Sequence, residues 1–171
     1  MRRHPNGSTL VDLLVYIAII AVLMFIIVDI LFNIFALKVK LDAISGVRQG
    51  GRIAMERIRL AVQNATSITV PTSGTSTNVL TLAMPTTSTN PTTFSVSDGA
   101  LLLKEGTSPT STLTAAEGQV MSVTFQNLTA AGTPGTVRVI LYVSSTETGA
   151  QQTPFTYGEV YRTTENVRRR P

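Results

Sequence analysis

One stretch of this chain restricts its fold more than any other. From residue 13 to residue 28 every side chain is apolar or tyrosine, and the apolar pattern carries on past Asp29 and Asn33 to Val39. At ~1.5 Å per residue, residues 13–37 make a helix of about 37 Å, longer than the ~30 Å hydrocarbon core of a bilayer, so the segment can span once with tilt. No proline occurs between Gly7 and Pro71, so no residue in that interval lacks the backbone donor a helix needs. In front of the run stands a short basic leader, Arg2-Arg3-His4-Pro5-Asn6-Gly7. A secretory signal peptide carries its small residues after the apolar core, where an external protease cuts. Here the small residue, Gly7, comes first. Cleavage after Gly7 would leave the whole hydrophobic segment attached, with Ser8 as the new amino terminus and Asp12 as its fifth residue.

This order of features, with Gly7, Thr9, Leu10, Leu13, Leu14, Val15, Ile17, Ala18, Ile19 and Ile20 in register, resembles the class III signal of type IV prepilins, a glycine followed by a Phe-Thr-Leu-Ile-Glu-Leu-Leu-Val-like run. The chain departs from that pattern at Ser8, where the family usually has Phe, and at Asp12, where it usually has the longer Glu. The resemblance implies a prepilin peptidase that cuts between Gly7 and Ser8 on the cytoplasmic side and methylates the Ser8 amine. It implies an α+β pilin fold: a long N-terminal helix, anchor and stalk in one, packed against a small antiparallel β-sheet head outside the inner membrane. Other pilin or pseudopilin subunits, an inner-membrane assembly platform and membrane lipid are the partners it implies. Charge alone does not orient the span, because Lys38, Lys40 and Arg48 follow it and outnumber Arg2 and Arg3.

Asp12 needs a physical reason, since a charge at bilayer depth costs on the order of 3 kcal/mol on insertion scales. One reading is a helix start: residues 9–12 have capping-box spacing, and a first-turn carboxylate is favoured by the free N–H groups and the macrodipole. The other, implied by the resemblance, pairs Asp12 with the free amine of Ser8 on a neighbouring subunit as helices bundle into a filament. Asp29 and Asn33 lie four apart on one helix face, suited to the outer interface or to a polar contact with another pilin helix.

The chain divides into a leader (1–7), an anchor helix (8–39), an amphipathic stalk helix (40–66), a β-sheet head (67–167) and a basic tail (168–171). In the stalk Leu37, Leu41, Ile44, Met55, Ile58, Val62 and Ala65 recur at helical spacing, with Val47 and Gly51 in the gap. Gly46, Gly50 and Gly51 each cost about 1 kcal/mol in a helix interior, which predicts a bend or local break near 46–51; a close helix contact is their other use. Arg48, Arg52, Arg57 and Arg59 read as a solvated face, with Glu56 placed to pair with Arg52, rather than as a phosphate-binding row.

Beyond Thr66, short alternating apolar runs between Thr, Ser, Pro and Gly turns predict strands at 67–70, 78–84, 93–97, 100–104, 119–126 and 136–144, with Asp98-Gly99 as the strongest hairpin signal. Leu80, Leu82, Met84, Leu102, Val123, Phe125, Val137, Val139, Leu141 and Val143 are the expected core of a sheet lying on the stalk. The order of these segments also resembles minor pilins and J-type pseudopilins, including PilW-like members. Segments 71–77, 85–92 and 107–114, dense in Thr, Ser and Pro, read as exposed loops.

Composition narrows the function. The chain has no cysteine, and its single histidine, His4, belongs to the leader, so the processed protein has neither thiolate nor imidazole for catalysis or metal binding. There is no Gly-rich phosphate loop and no recognisable acid pair. The basic excess, 14 Lys and Arg against 10 acids, lies in the stalk and tail, and the head is slightly acidic, which argues against nucleic acid as a direct ligand. The expectation is a structural subunit that is not an enzyme and uses no cofactor, built into a type IV pilus or into a secretion or competence (DNA-uptake) pseudopilus, most of all as a minor, priming subunit. A single-pass anchored surface domain that binds a ligand and never polymerises is the alternative.

Overall fold

The computed structural model describes residues 8–114, 119–148 and 154–168. The leader with Gly7 and residues 169–171 of the tail lie outside the described residues. A single helix, α1 (Ser8–Asn64), accounts for 57 of them. It runs without interruption through Gly46, Gly50 and Gly51, so the predicted break does not occur. The reason lies in packing: Ala43, Val47, Gly51, Ala54, Ile58, Val62 and Ala65, spaced by three and four, form one buried seam. Small residues in that seam let the sheet approach the helix axis, and the contact offsets the low helix propensity of glycine. Leu37 and Leu41, expected on the same face, are exposed, at 57% and 55%.

The head is antiparallel, as expected, but made of two sheets. One has the order β1-β3-β4-β5-β6 and the other β2-β7-β8-β9. Their strands are β1 (Ser67–Val70), β2 (Ser76–Thr77), β3 (Leu80–Ala83), β4 (Thr92–Ser97), β5 (Ala100–Glu105), β6 (Ser111–Thr112), β7 (Gln119–Asn127), β8 (Thr136–Thr148) and β9 (Pro154–Asn166). The fold is thus α+β, one long helix with a β head, and α1 lies on β8 and β9. Between β4 and β5 the chain reverses at Asp98 (φ 52°) and Gly99 (φ 72°), with Ser97 paired to Ala100. Two consecutive left-handed residues are what a two-residue hairpin of type I′ requires.

Leu80, Leu82, Val123, Phe125, Val137, Val139, Leu141 and Val143 are buried as expected, joined by Phe94, Leu101 and Val120. Met84 is half-buried at the margin of this cluster. Leu102 is corrected to Leu101: within the run 101–103 parity is ambiguous, and pairing decides it. Val96 faces Leu101 and Phe94 faces Leu103 across the β4–β5 ladder, which turns Leu102 to the other side.

The largest omission is β9, a 13-residue strand paired along its length to β8. Its half-buried residues Phe155, Tyr157, Glu159, Tyr161, Thr163 and Glu165 alternate with exposed Thr156, Gly158, Val160, Arg162, Thr164 and Asn166. The period is two, but the inward face is aromatic and acidic, so an aliphatic alternation rule passes over it. Phe155 sits against Lys40, and Glu165 meets Gln63. Ten strand residues advance about 33 Å and 23 helix residues about 34 Å, so β9 and the stalk run side by side in the same direction.

Candidate assembly and anchoring helix

Among the described residues the first half of α1 has no partner. Its most apolar 18-residue window has a mean hydropathy of 3.0 and none of it is buried. Leu10, Phe25 and Met24 are 71%, 77% and 62% exposed. Leaving that much hydrocarbon in water is untenable at ~25 cal/mol per Å2, so this rod is built to be covered by lipid or by other helices. By length and composition it can cross a membrane once.

Of the predicted site residues, Ser8 and Asp12 sit at its tip, and Gly7 lies outside the described residues. Because the chain is already helical at Ser8 and Thr9, Asp12 falls beyond the first turn, and the capping-box reading, which needs Thr9 outside the helix, is removed. Asp12 is exposed on the apolar rod. Farther up, the Asn33 side-chain amide donates to the Asp29 carbonyl at 2.9 Å and reaches the Asp29 carboxylate at 3.4 Å. This i,i+4 contact satisfies part of the polar demand of both residues inside the rod.

The second half of α1 is held to the head by a polar and aromatic lock that the sequence reading did not assemble. Tyr161, inward on β9, packs its ring over Gly51, where a Cβ would come under 3.0 Å from three ring carbons. Its hydroxyl donates toward the Val47 carbonyl (3.4 Å) and the Glu159 carboxylate (3.2 Å). Burial, and then the neighbouring charge of Glu159, push the Tyr161 pKa up to about 12. Tyr157 donates to the same Glu159 oxygen at 3.2 Å. From the helix, Arg48 Nε lies 3.6 Å from Glu159, and its guanidinium sits 6.0 Å from the Tyr157 ring centroid. Arg48 holds its proton more firmly than usual, first through Tyr157 and then through the charge on Glu159. At the far end Gln63 Nε2 donates to Glu165 (3.3 Å), and Arg168 donates to Gln63 Oε1 (3.4 Å).

Arg48, Arg52, Arg57 and Arg59 are all exposed, as expected, but Arg48 also reaches Glu159 on the head. One expectation changes: Glu56 pairs with Arg59 at 2.8 Å, not with Arg52. The signal that could have found the lock was the contrast between a basic stalk and an acidic head, because the carboxylates on β9 face that stalk.

A cleft of about 490 Å3 opens where α1 ends, lined among others by Thr66, Ser73, Asn127, Thr129 and Arg168. Asn127 donates to the Pro71 carbonyl at 2.7 Å and accepts from Thr129 N at 2.9 Å, while Thr129 Oγ1 accepts from Thr136 N at 2.9 Å. Its polar groups are therefore engaged in holding loops together, and among the described residues Arg168 is the one ionisable residue in its lining. Comparison with family models, with curated proteins and with solved structures returned no match.

Proposed function

We propose that this chain is a pilin-like structural subunit: it is cut between Gly7 and Ser8 by a prepilin peptidase, waits in the inner membrane with its head outside, and enters a type IV pilus or a secretion or competence pseudopilus through α1. One observation carries the reading. Among the described residues the head grips only the second half of a continuous helix, with burial beginning at Ala43, and leaves the first half as a bare apolar rod. A domain that needed only an anchor could be joined to its span by a flexible linker; here span and stalk are one rigid element, the form in which subunits can stack helix against helix. Asp12, near the tip of that rod, serves the Ser8 amine of an adjacent subunit, since a lone carboxylate in an apolar bundle requires a counter-charge. Partners are other pilin or pseudopilin subunits and the membrane assembly platform, and the role is non-catalytic. A minor, priming position fits a head without disulfides and an anchor without proline.

Mass spectrometry of the mature protein from cells with an active prepilin peptidase tests this. The expected terminus is N-methylated Ser8, with the chain present in sheared filaments and Asp12→Ala depleted from them at least tenfold. A terminus at Met1 overturns the reading in favour of an anchored surface domain, as does a processed chain absent from filaments.

A further inference from the structure

Among the described residues, no carboxylate neutralises the charge at the outer end of the rod. Lys38 and Lys40 follow directly on the exposed apolar segment, and both are exposed. Among the described residues neither has a carboxylate within 4.0 Å. Asp42, four residues after Lys38, is exposed and makes no ion pair with it. Two residues apart on a helix means about 200° around its axis, so the two ammonium groups form a collar rather than a patch. The head reaches this level too: Phe155, at the membrane end of β9, has its ring centroid 5.8 Å from Lys40 Nζ. Cations and an aromatic ring at the boundary of a hydrocarbon span are suited to the headgroup layer, where an aromatic keeps its apolar body inward and an ammonium reaches phosphate.

We propose that Lys38, Lys40 and Phe155 bind anionic phospholipid headgroups of the outer leaflet and hold the head end of the unassembled subunit against the bilayer. This rests on the membrane-anchored orientation given under Proposed function. Charge complementarity names the occupant: the acidic head would be repelled by an anionic surface, and the collar, placed between head and span, supplies the attraction. It also accounts for cations gathered on the side of the span where the positive-inside rule disfavours them. Two cationic side chains at headgroup depth favour an anionic over a zwitterionic lipid by roughly 30-fold together.

The test uses the full chain in detergent, titrated with phosphatidylglycerol and with phosphatidylcholine, with native mass spectrometry giving the dissociation constant of the first bound lipid. Wild type is expected to prefer phosphatidylglycerol about 30-fold, and K38Q/K40Q to lose the preference. F155A is expected to weaken both lipids alike while keeping their ratio, and R52Q, higher on the stalk, to match wild type. These positions are exposed or marginal, and an unchanged circular dichroism spectrum verifies folding. A wild-type ratio near one, or a preference that survives K38Q/K40Q, overturns the proposal. Alkaline extraction of membranes separates the two levels: release of the chain rejects the anchored reading itself, whereas a chain that resists extraction but shows no lipid preference rejects the collar alone.

Discussion

Adding one methyl group at Gly51 would put opposite forces on the same atom. In a helix interior Gly→Ala is favourable by about 1 kcal/mol, because glycine loses more backbone freedom on folding. At Gly51 the new Cβ would lie under 3.0 Å from three carbons of the Tyr161 ring, closer than van der Waals contact permits. Relief requires the ring to swing away, which disturbs its hydrogen bonds to Val47 and Glu159 and uncovers part of the seam. Overpacking of that kind costs ~1–3 kcal/mol. The net expectation for Gly51→Ala is a loss of about 1 kcal/mol, against a gain of about 1 kcal/mol for Gly50→Ala, where a Cβ meets nothing within 4 Å. Thermal melts of the full chain in detergent, followed by the near-ultraviolet dichroism of the tyrosines, resolve this as shifts of opposite sign, roughly 2–4 °C per kcal/mol. A cycle with Tyr161→Ala completes the test: once the ring is gone, Gly51→Ala should become stabilising. If Gly51→Ala stabilises wild type as much as Gly50→Ala does, the glycine does not serve the close approach of β9.

Leu101→Ala should cost ~2–5 kcal/mol and Leu102→Ala clearly less, by chemical denaturation, since the first side chain is fully buried and the second half-buried; equal losses would reject the β4–β5 register. Tyr161 gives a pH signature. Its folded pKa of about 12 stands above the ordinary value of 10.0, so its contribution is intact below pH 10 and is lost as pH rises through 12, while Tyr161→Phe has no such term. Stability profiles of the two proteins that stay parallel from pH 9 to 12 would contradict that burial. Depletion of Asp12→Ala from filaments and loss of lipid preference in K38Q/K40Q are the corresponding predictions for the rod and its collar.

The long helix and the hairpin at Asp98-Gly99 were legible because each depends on local chemistry: an apolar run without proline, and the pair of residues that most readily adopt left-handed backbone. Aliphatic alternation likewise located β7 and most of β8. The same rules failed where the neighbour was distant in sequence. The glycines at 46–51 read as a weakness in isolation and become a contact once Tyr161, more than a hundred residues on, lies over Gly51. Strand β9 carried alternation of a kind that has meaning only beside a basic helix.

Sequence alone therefore determined the rod: its apolar length, the short basic segment before it, the lone acid near its tip and the cations at its head end follow from residue order, since a helix takes its form from near neighbours. Tertiary structure decided how the head holds that rod. Two sheets instead of one, Leu101 instead of Leu102 in the core, and Arg48 turned toward Glu159 all depend on which strands lie side by side. Pairing between remote segments is a competition among many registers of similar local quality, and the choice among them is made by the packing of the whole.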